Sequence, residues 1–518
     1  MTSSGNHTIR MGLGACLLLC SMLVLWKPVH IDEANFLSLA QGSFLAPHNV
    51  AINWQGTTER AFDVLSNPPG IAWYLYPVRD GSRFLLRAWM LPWSFLALWG
   101  FWILGRLYGQ RYAFAAFAAS SPVFALSHGA LLPDMPLLAC TVLGYAVFLS
   151  HKRYFWGAFL IGLGFWFRYS ALVPVVTLVL WALLQPVDIR FNVKIWMKIL
   201  CGILIAPALL LIHDIWAYNS FHFWQMISFQ GLPKTGLQQL HQLLAIFAQG
   251  ASGVFLCVGW LALRKERRVW LLLIFAIVAV GLSLSLWNAF WIAVGFACLS
   301  TLPKTNTLRW AGLSLCGGIV FLFLLRFTAT RYWIPFLPLL VIYFKPFLLN
   351  RYMPFFFVAS GLLSTFLCLD DWEFARGYQK IATDIQTEEL TGRRGLAGHW
   401  GLQWHLEQQG FVPLEDDQPL NHDHVVHSQS AWPQEASGGI LKRMRLWEHR
   451  NQIWGPSVYS EETQSHFHAN MIAPDVQTYA SWGWYGSRFD TVTLWKRCAA
   501  DCTGCIWNVE QTPPACTP

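Results

Sequence analysis

Apolar runs long enough to cross about 30 Å of hydrocarbon recur along this chain from residue 11 to residue 369. That feature removes most architectures at once. Inside lipid every backbone N–H and C=O must find its partner within the protein, so only helices and closed barrels can span. Runs of about 20 residues have helix length, about twice what a membrane strand needs. Composition agrees: 55% of the 518 residues are hydrophobic and 12% are charged, roughly half the charged share of an ordinary soluble domain. The 29 Trp and 37 Phe suit a chain with many water–lipid interfaces, where aromatic rings settle. The expectation is a polytopic α-helical membrane protein with about thirteen transmembrane helices.

The net charge of +8 would suit nucleic acid if it were gathered on one surface, but it is dispersed between spans. Basic residues cluster at Arg106 and Arg111, His151 to Arg153, Arg190 with Lys194 and Lys198, Arg264 to Arg268, Lys304 with Arg309, and Lys345 with Arg351. Placing each cluster on the cytoplasmic side lets the spans alternate without contradiction. The partner this implies is the lipid bilayer, with no nucleic acid. Residues 28–88, 128–134, about 214–240 and 327–331 then face outward, as does everything after Asp370. The opening run MGLGACLLLCSMLVLW lacks a small-x-small cleavage site, so it reads as a retained first span.

These shifts divide the chain into a transmembrane domain, residues 1–369, with a long first outer loop at 28–88, and a C-terminal extracytoplasmic domain, residues 370–518. The second has strand-like runs (HDHVVHS, DTVTLWK) and a helix-like one (DWEFARGYQKIATDIQ), which predict a soluble α/β module. Cys498, Cys502, Cys505 and Cys516 crowd its end. In an oxidising compartment they read as disulfide-forming ahead of a metal site.

The chemistry begins at KPVHIDEANFLSLAQ. An ionised carboxylate at a span's end is costly unless it has solvent, a partner or a task. One reading makes Asp32 and Glu33 caps of an interfacial helix. Three features point to a task instead. Asp134, in HGALLPDMPLLAC, and Arg331, in TRYWIPFLPLL, stand at the outer ends of two other spans. Between the acids lies the long loop carrying Asn67-Pro68-Pro69-Gly70 and the aromatic run IAWYLY. Acids and an arginine converging at one membrane face suit a charged, lipid-borne substrate.

The order of segments resembles the C-type membrane glycosyltransferases, which use polyprenyl-phosphate sugars and include protein O-mannosyltransferases, lipid A aminoarabinose transferases and lipopolysaccharide-core transferases. DEANFLSLAQ resembles their Asp-Glu motif, NPPGIAWYL their x-Pro-Pro segment, and TRYWIPFLPLL a late Arg-Tyr-x-x-Pro segment. SRFLLRAWMLPWSFLALWGFWILGRLYG, SSPVFALSHGALLPDMPLLACTVLGYAVF and GLGFWFRYSALVPVVTLVLWALL are similar to their successive spans. The resemblance implies a sugar moved from a polyprenyl-phosphate donor to an acceptor hydroxyl on a glycolipid, glycan or protein, by single displacement with inversion. It implies Asp32 as catalytic base and Glu33 as its neighbour, positioning the acceptor or tuning the base. It places Asp134 and Arg331 at the donor phosphate, with Arg83 and Arg87 as further phosphate contacts. Asn67 stands where some relatives carry Lys or His. A divalent cation is permitted by the acids without being required, and no other cofactor is implied. The bacterial inner membrane, with the active site and C-terminal domain facing the periplasm or exterior, fits this arrangement.

Other features have plainer readings. Arg168 in FWFRYSAL reads as an arginine snorkelling to the interface ahead of a substrate contact. His422, His424 and His427, with His466 and His468, read as solvated loop residues ahead of metal ligands. Trp400 and Trp404 read as core ahead of a sugar platform. The rival functions are a polytopic transporter, against which the end-of-span placement of the charges counts, and a non-catalytic glycan-assembly protein on the same scaffold.

Overall fold

The protein is described by a computed structural model covering residues 3–54, 56–230, 306–324, 329–348, 353–416, 418–431, 433–434, 440–461, 465–468, 483–498 and 507–508. Among these residues four helices are long and apolar enough to cross a membrane: α3 (Arg83–Leu107), α6 (Asp134–His151), α8 (Val193–Tyr218) and α9 (Met353–Gln386). At 1.5 Å per residue, even the shortest of them approaches the hydrocarbon thickness. Leu209, Ile212, Ile215 and Trp216 of α8 and Phe95 and Trp99 of α3 stand exposed, a surface that lipid covers and water would penalise. The chain is an integral membrane protein. The expected count of about thirteen helices draws on residues 231–305, which lie outside the described residues, as does the Arg264–Arg268 cluster.

The first helix, α1 (Ser3–Leu25), packs on α9, α3 packs on α6, and α7 (Tyr154–Leu163) packs on α8. The last contact depends on glycine. A Cβ on Gly202 would stand 2.5 Å from the Phe155 carbonyl oxygen, and one on Gly162 the same distance from that of Ile203, so small residues let the two backbones meet. The span over residues 111–127 is broken into α4 (Arg111–Ala119) and α5 (Pro122–Ser127). The freed Ser120 carbonyl accepts from the hydroxyls of Ser360 (2.7 Å) and Ser364 (2.9 Å) on α9. A broken helix of this kind is common in carriers, but here serine hydroxyls satisfy the break.

Between α1 and α3 the long loop folds back on the bundle. It contains α2 (Glu33–Gln41), a hairpin pairing Ala51–Asn53 with Thr58–Arg60, and short helices at Ala61–Val64 and Gly70–Leu75.

Helix α9 runs unbroken through residue 370. The DWEFARGYQKIATDIQ segment continues the membrane helix, so it is no separate element of the C-terminal part. Beyond it lies a six-stranded sheet. Its strands are β1 (Arg394–Ala397), β2 (Val412–Pro413), β3 (His424–Ser428), β4 (Ile440–Arg450), β5 (Arg488–Arg497) and β6 (Trp507–Asn508), in the order β6-β4-β5-β3-β1-β2. β1 runs parallel to both β2 and β3, and the remaining pairs are antiparallel. Helix α10 (Trp400–Glu407) connects β1 to β2. Trp400 is buried and meets Tyr459 edge-on, which makes it core. Cys498 is disulfide-bonded, while Cys502, Cys505 and Cys516 lie outside the described residues.

Sheet and helix are locked by polar staples. Asp370 accepts from the Val458 N–H at 2.6 Å and the Ser457 hydroxyl at 2.9 Å. The buried Asp490 of β5 accepts from the Tyr378 hydroxyl of α9 at 2.9 Å. His449 of β4 lies among Phe374, Tyr378 and Phe489, and a Cβ on Gly377 would come within 1.9 Å of its Nε2.

Burial pushes the His449 pKa down from 6.5 to about 4, so the ring is neutral when folded and takes up a proton when unfolded. Its contribution is full above the unfolded value and is lost as pH falls from about 6.5 towards 4. Hydrogen exchange of the whole protein in detergent should show β4 protection declining across that window. His449→Phe should flatten the decline, leaving the slope of the other histidines that burial lowers, among them His427 and His405, both pushed down to about 4. Protection of β4 that ignores pH would show that no neutral ring is required there.

Candidate active site

The segment Lys27-Pro28-Val29-His30-Ile31-Asp32-Glu33 is held from three sides. The Lys27 ammonium pairs with Asp371 of α9, which also accepts from His468 Nε2 at 2.9 Å. Gly401 of α10 presses on the Val29 carbonyl, where a Cβ would stand at 2.8 Å. From α3, Arg87 donates to the Pro28 carbonyl at 2.8 Å. Ile31, buried and β-branched, is forced to φ +49°. That conformation costs a branched residue on the order of 1–3 kcal/mol and persists only where the surroundings impose it. Asp32 follows directly.

Its carboxylate caps nothing. Asp32 sits at the N-cap position of α2 with helical φ and ψ and makes no side-chain capping bond, so the helix-cap reading fails for this residue. Its Oδ2 instead accepts from Arg331 Nη2, although 299 residues separate them. Arg331 lies on the 3-10 turn Thr330–Phe336 and is 7% exposed. Among the described residues its Nε and Nη1 have no hydrogen-bond partner.

Asp134 starts α6 and is 1% exposed. Its Oδ1 pairs with Arg168 Nη1, and its Oδ2 has no hydrogen-bond partner among the described residues. Arg168 therefore turns inward, where the sequence suggests snorkelling. It is buried, and its guanidinium lies 4.1 Å from the centre of the Tyr332 ring. Tyr332 is the chain neighbour of Arg331, and the Asp134 charge reaches Arg331 as well. The site is thus a row of alternating charge: Asp32, Arg331, Asp134, Arg168.

Glu33 and Arg87 form a separate pair. The 2.6 Å contact from Arg87 Nη2 to Glu33 Oε2 is one arm of a two-pronged bridge, whose other arm joins Nη1 to Oε1. Glu33 also accepts from the His30 N–H at 2.9 Å and the Leu131 N–H at 3.1 Å. Burial raises the pKa of Glu33, but the charges of Arg87 and Lys27 outweigh it and leave the group below the ordinary carboxylate range. Both side chains of the pair are almost wholly buried.

The remaining candidates lie elsewhere. The backbone carbonyl of Asn67 meets His48 Nε2 at 2.9 Å, and among the described residues no hydrogen bond joins Asn67 to Asp32 or Arg331. Arg83 is exposed and donates to Gln379 Oε1 at 2.9 Å. Asp32, Glu33 and Asp134 do not fit a divalent cation as placed, because each already faces a guanidinium. Among the described residues no three His, Cys, Asp or Glu side chains converge as metal ligands. Arg168 and the Lys27–Asp371 bridge were not singled out by sequence as site features. The usable signal for Arg168 was its complement: a lone acid and a lone arginine in neighbouring apolar runs each need a partner.

The chain is similar to two solved structures of ArnT from Cupriavidus metallidurans. The apo-state structure is 15% identical, with a TM-score of 0.42, over 81% of this chain and 87% of that one. The structure bound to undecaprenyl phosphate is 15% identical, with a TM-score of 0.41, over 81% of this chain and 93% of that one. No family model and no curated protein matches the chain.

Removing one partner of a buried ion pair leaves the other charge stranded, at a cost of about 3–5 kcal/mol. Glu33→Gln should therefore lower the thermal unfolding midpoint and the yield of folded protein. The double change Glu33→Gln with Arg87→Met should recover much of that loss. An unchanged midpoint in Glu33→Gln would contradict a structural role for the pair.

Proposed function

We propose that the chain is a membrane glycosyltransferase of the C type, which moves a sugar from a polyprenyl-phosphate donor to an acceptor hydroxyl at the outer face of the membrane. The observation that carries the reading is the Asp32–Arg331 pair, in which one guanidinium holds the candidate base and keeps two N–H-bearing nitrogens uncommitted among the described residues. A polyprenyl donor reaches its enzyme through the bilayer, so a base and a phosphate-binding cation belong together where apolar helices end.

In this reading Asp32 is the base because it is the accessible acid. Its side chain is 17% exposed, against 2% for Glu33 and 1% for Asp134. The acceptor oxygen attacks the anomeric carbon while its proton passes to Asp32. The carbon–oxygen bond to the phosphate breaks, the electron pair leaves with the phosphate, and the configuration inverts. Arg331 Nε and Nη1 offer charge-assisted hydrogen bonds to the oxygens gaining charge. Asp134 and Arg168 orient the Arg331–Tyr332 turn. Glu33 and Arg87 hold the loop that presents Asp32 and take no part in the proton transfer. No step needs a metal ion. We place the protein in the bacterial inner membrane with Asp32 towards the periplasm, which has no nucleotide sugars and would rely on lipid-borne donors.

Mass spectrometry of envelope glycolipids and glycoproteins from a deletion strain, complemented with wild type or Asp32→Asn, tests the proposal. Wild type should restore a missing sugar, whereas Asp32→Asn at equal abundance should fall by about 10²-fold or more, the usual weight of a general base. Full restoration by Asp32→Asn would overturn the assignment of the base. A glycan inventory unchanged by the deletion would favour a transporter or assembly protein.

A further inference from the structure

Among the described residues near the Asp32 end of the helices, Arg87, Arg168 and Arg331 each face a carboxylate, and Arg60 and Arg79 of the outer loop pair with Asp63 and Asp80. Two others do not. Arg83, at the start of α3, and Arg376, on α9, flank a cleft of about 300 Å³ lined also by Trp26, Pro28, Trp372 and Gln379. Arg376 lies 5.0 Å from the centre of the Trp372 ring, and Arg83 reaches only the neutral Gln379. Residues 372, 376 and 379 are spaced four and three apart, which puts them on one face of α9. Among the described residues neither guanidinium has a carboxylate within ion-pair distance.

The cleft lies where three apolar stretches end together: α1 at Leu25, α3 at Arg83, and the apolar half of α9 near residue 370. Leu18, Leu19 and Met22 of α1 and Phe84, Leu85 and Trp89 of α3 are exposed below it, a surface that hydrocarbon tails cover. Two uncompensated cations, two indoles at interfacial depth and an apolar wall beneath them match a lipid with a charged head. The volume is at the small end for a ligand pocket and suits a headgroup while the tails remain in the bilayer.

We propose that this cleft binds the phosphate ester of an anionic lipid, with Arg83 and Arg376 on the phosphate oxygens and Trp26 and Trp372 enclosing the headgroup. It is separate from the Asp32–Arg331 row. One turn along α3 from Arg83, Arg87 is turned away into its pair with Glu33. The inference does not rest on the glycosyltransferase reading, and its test measures no transfer.

Native mass spectrometry of the detergent-solubilised full chain would count retained lipid while phosphatidylglycerol, polyprenyl phosphate or phosphatidylcholine is titrated in. Wild type should retain one phosphatidylglycerol, or one polyprenyl phosphate beyond any held at Arg331, about tenfold or more better than Arg83→Gln/Arg376→Gln, as the loss of charge-assisted hydrogen bonds requires. Arg83→Lys/Arg376→Lys should recover part of the retention, and both variants should keep the wild-type unfolding midpoint because the two side chains are exposed. Whichever anionic lipid binds more tightly names the source of the phosphate. Equal retention by wild type and the glutamine variant would overturn the proposal. So would phosphatidylcholine held as tightly as the anionic lipids, or displacement of the lipid by inorganic phosphate at equal concentration.

Discussion

The two-pronged bridge between Glu33 and Arg87 is the interaction on which the arrangement at this end of the molecule depends. It joins the loop after α1, the middle of α3's first half, and the turn leading to α6, because Arg87 also donates to Pro28 and Gly129 carbonyls while Glu33 accepts from Leu131. A buried charge pair seldom adds much net stability over a well-packed apolar substitute, but breaking one is expensive. That asymmetry makes the bridge a device for uniqueness of position: any loop conformation that separates the two groups strands a charge. With Glu33 fixed, its neighbour Asp32 has little freedom, and the left-handed backbone of Ile31 records how tightly the turn is held.

The other two pairs are built from the same groups and differ in what they leave unsatisfied. Every carboxylate oxygen of Glu33 is engaged, whereas among the described residues Asp134 retains one oxygen and Arg331 two nitrogens without hydrogen-bond partners. Buried polar atoms without partners are costly, and a protein that carries three of them in one row gains by binding something polar there. The fully satisfied pair supports the structure, and the incompletely satisfied row is the part suited to a ligand.

Much of this was legible in the chain. Apolar length gave the membrane class, and the scarcity of charge made each acid and arginine within the spans conspicuous, so Asp32, Asp134 and Arg331 stood out. Their convergence required tertiary contacts over hundreds of residues, which no spacing encodes. Glu33 looked like a partner of Asp32 because the two are adjacent, yet neighbouring positions at a helix start point in different directions, and one side chain went to the interior. Arg168 resembled any arginine near a span end, and its inward turn depends on Asp134 in another helix. Asp371 read as the first residues of a new soluble segment, when it lies in the middle of a helix.

That helix has a further consequence. Over its 34 residues α9 passes from lipid-facing leucines to the aromatic contacts of the sheet with no interruption. Each residue of an α-helix turns the chain by about 100° and advances it 1.5 Å. Adding or deleting a single residue between Ser364 and Asp371 would leave every side chain chemically intact. It would also swing the sheet more than a quarter of the way round the bundle, carrying Asp371 off Lys27. The angular phase of the sheet about the membrane normal is therefore written into the residue count of one helix, so length variation is better tolerated in the loops than in this rod.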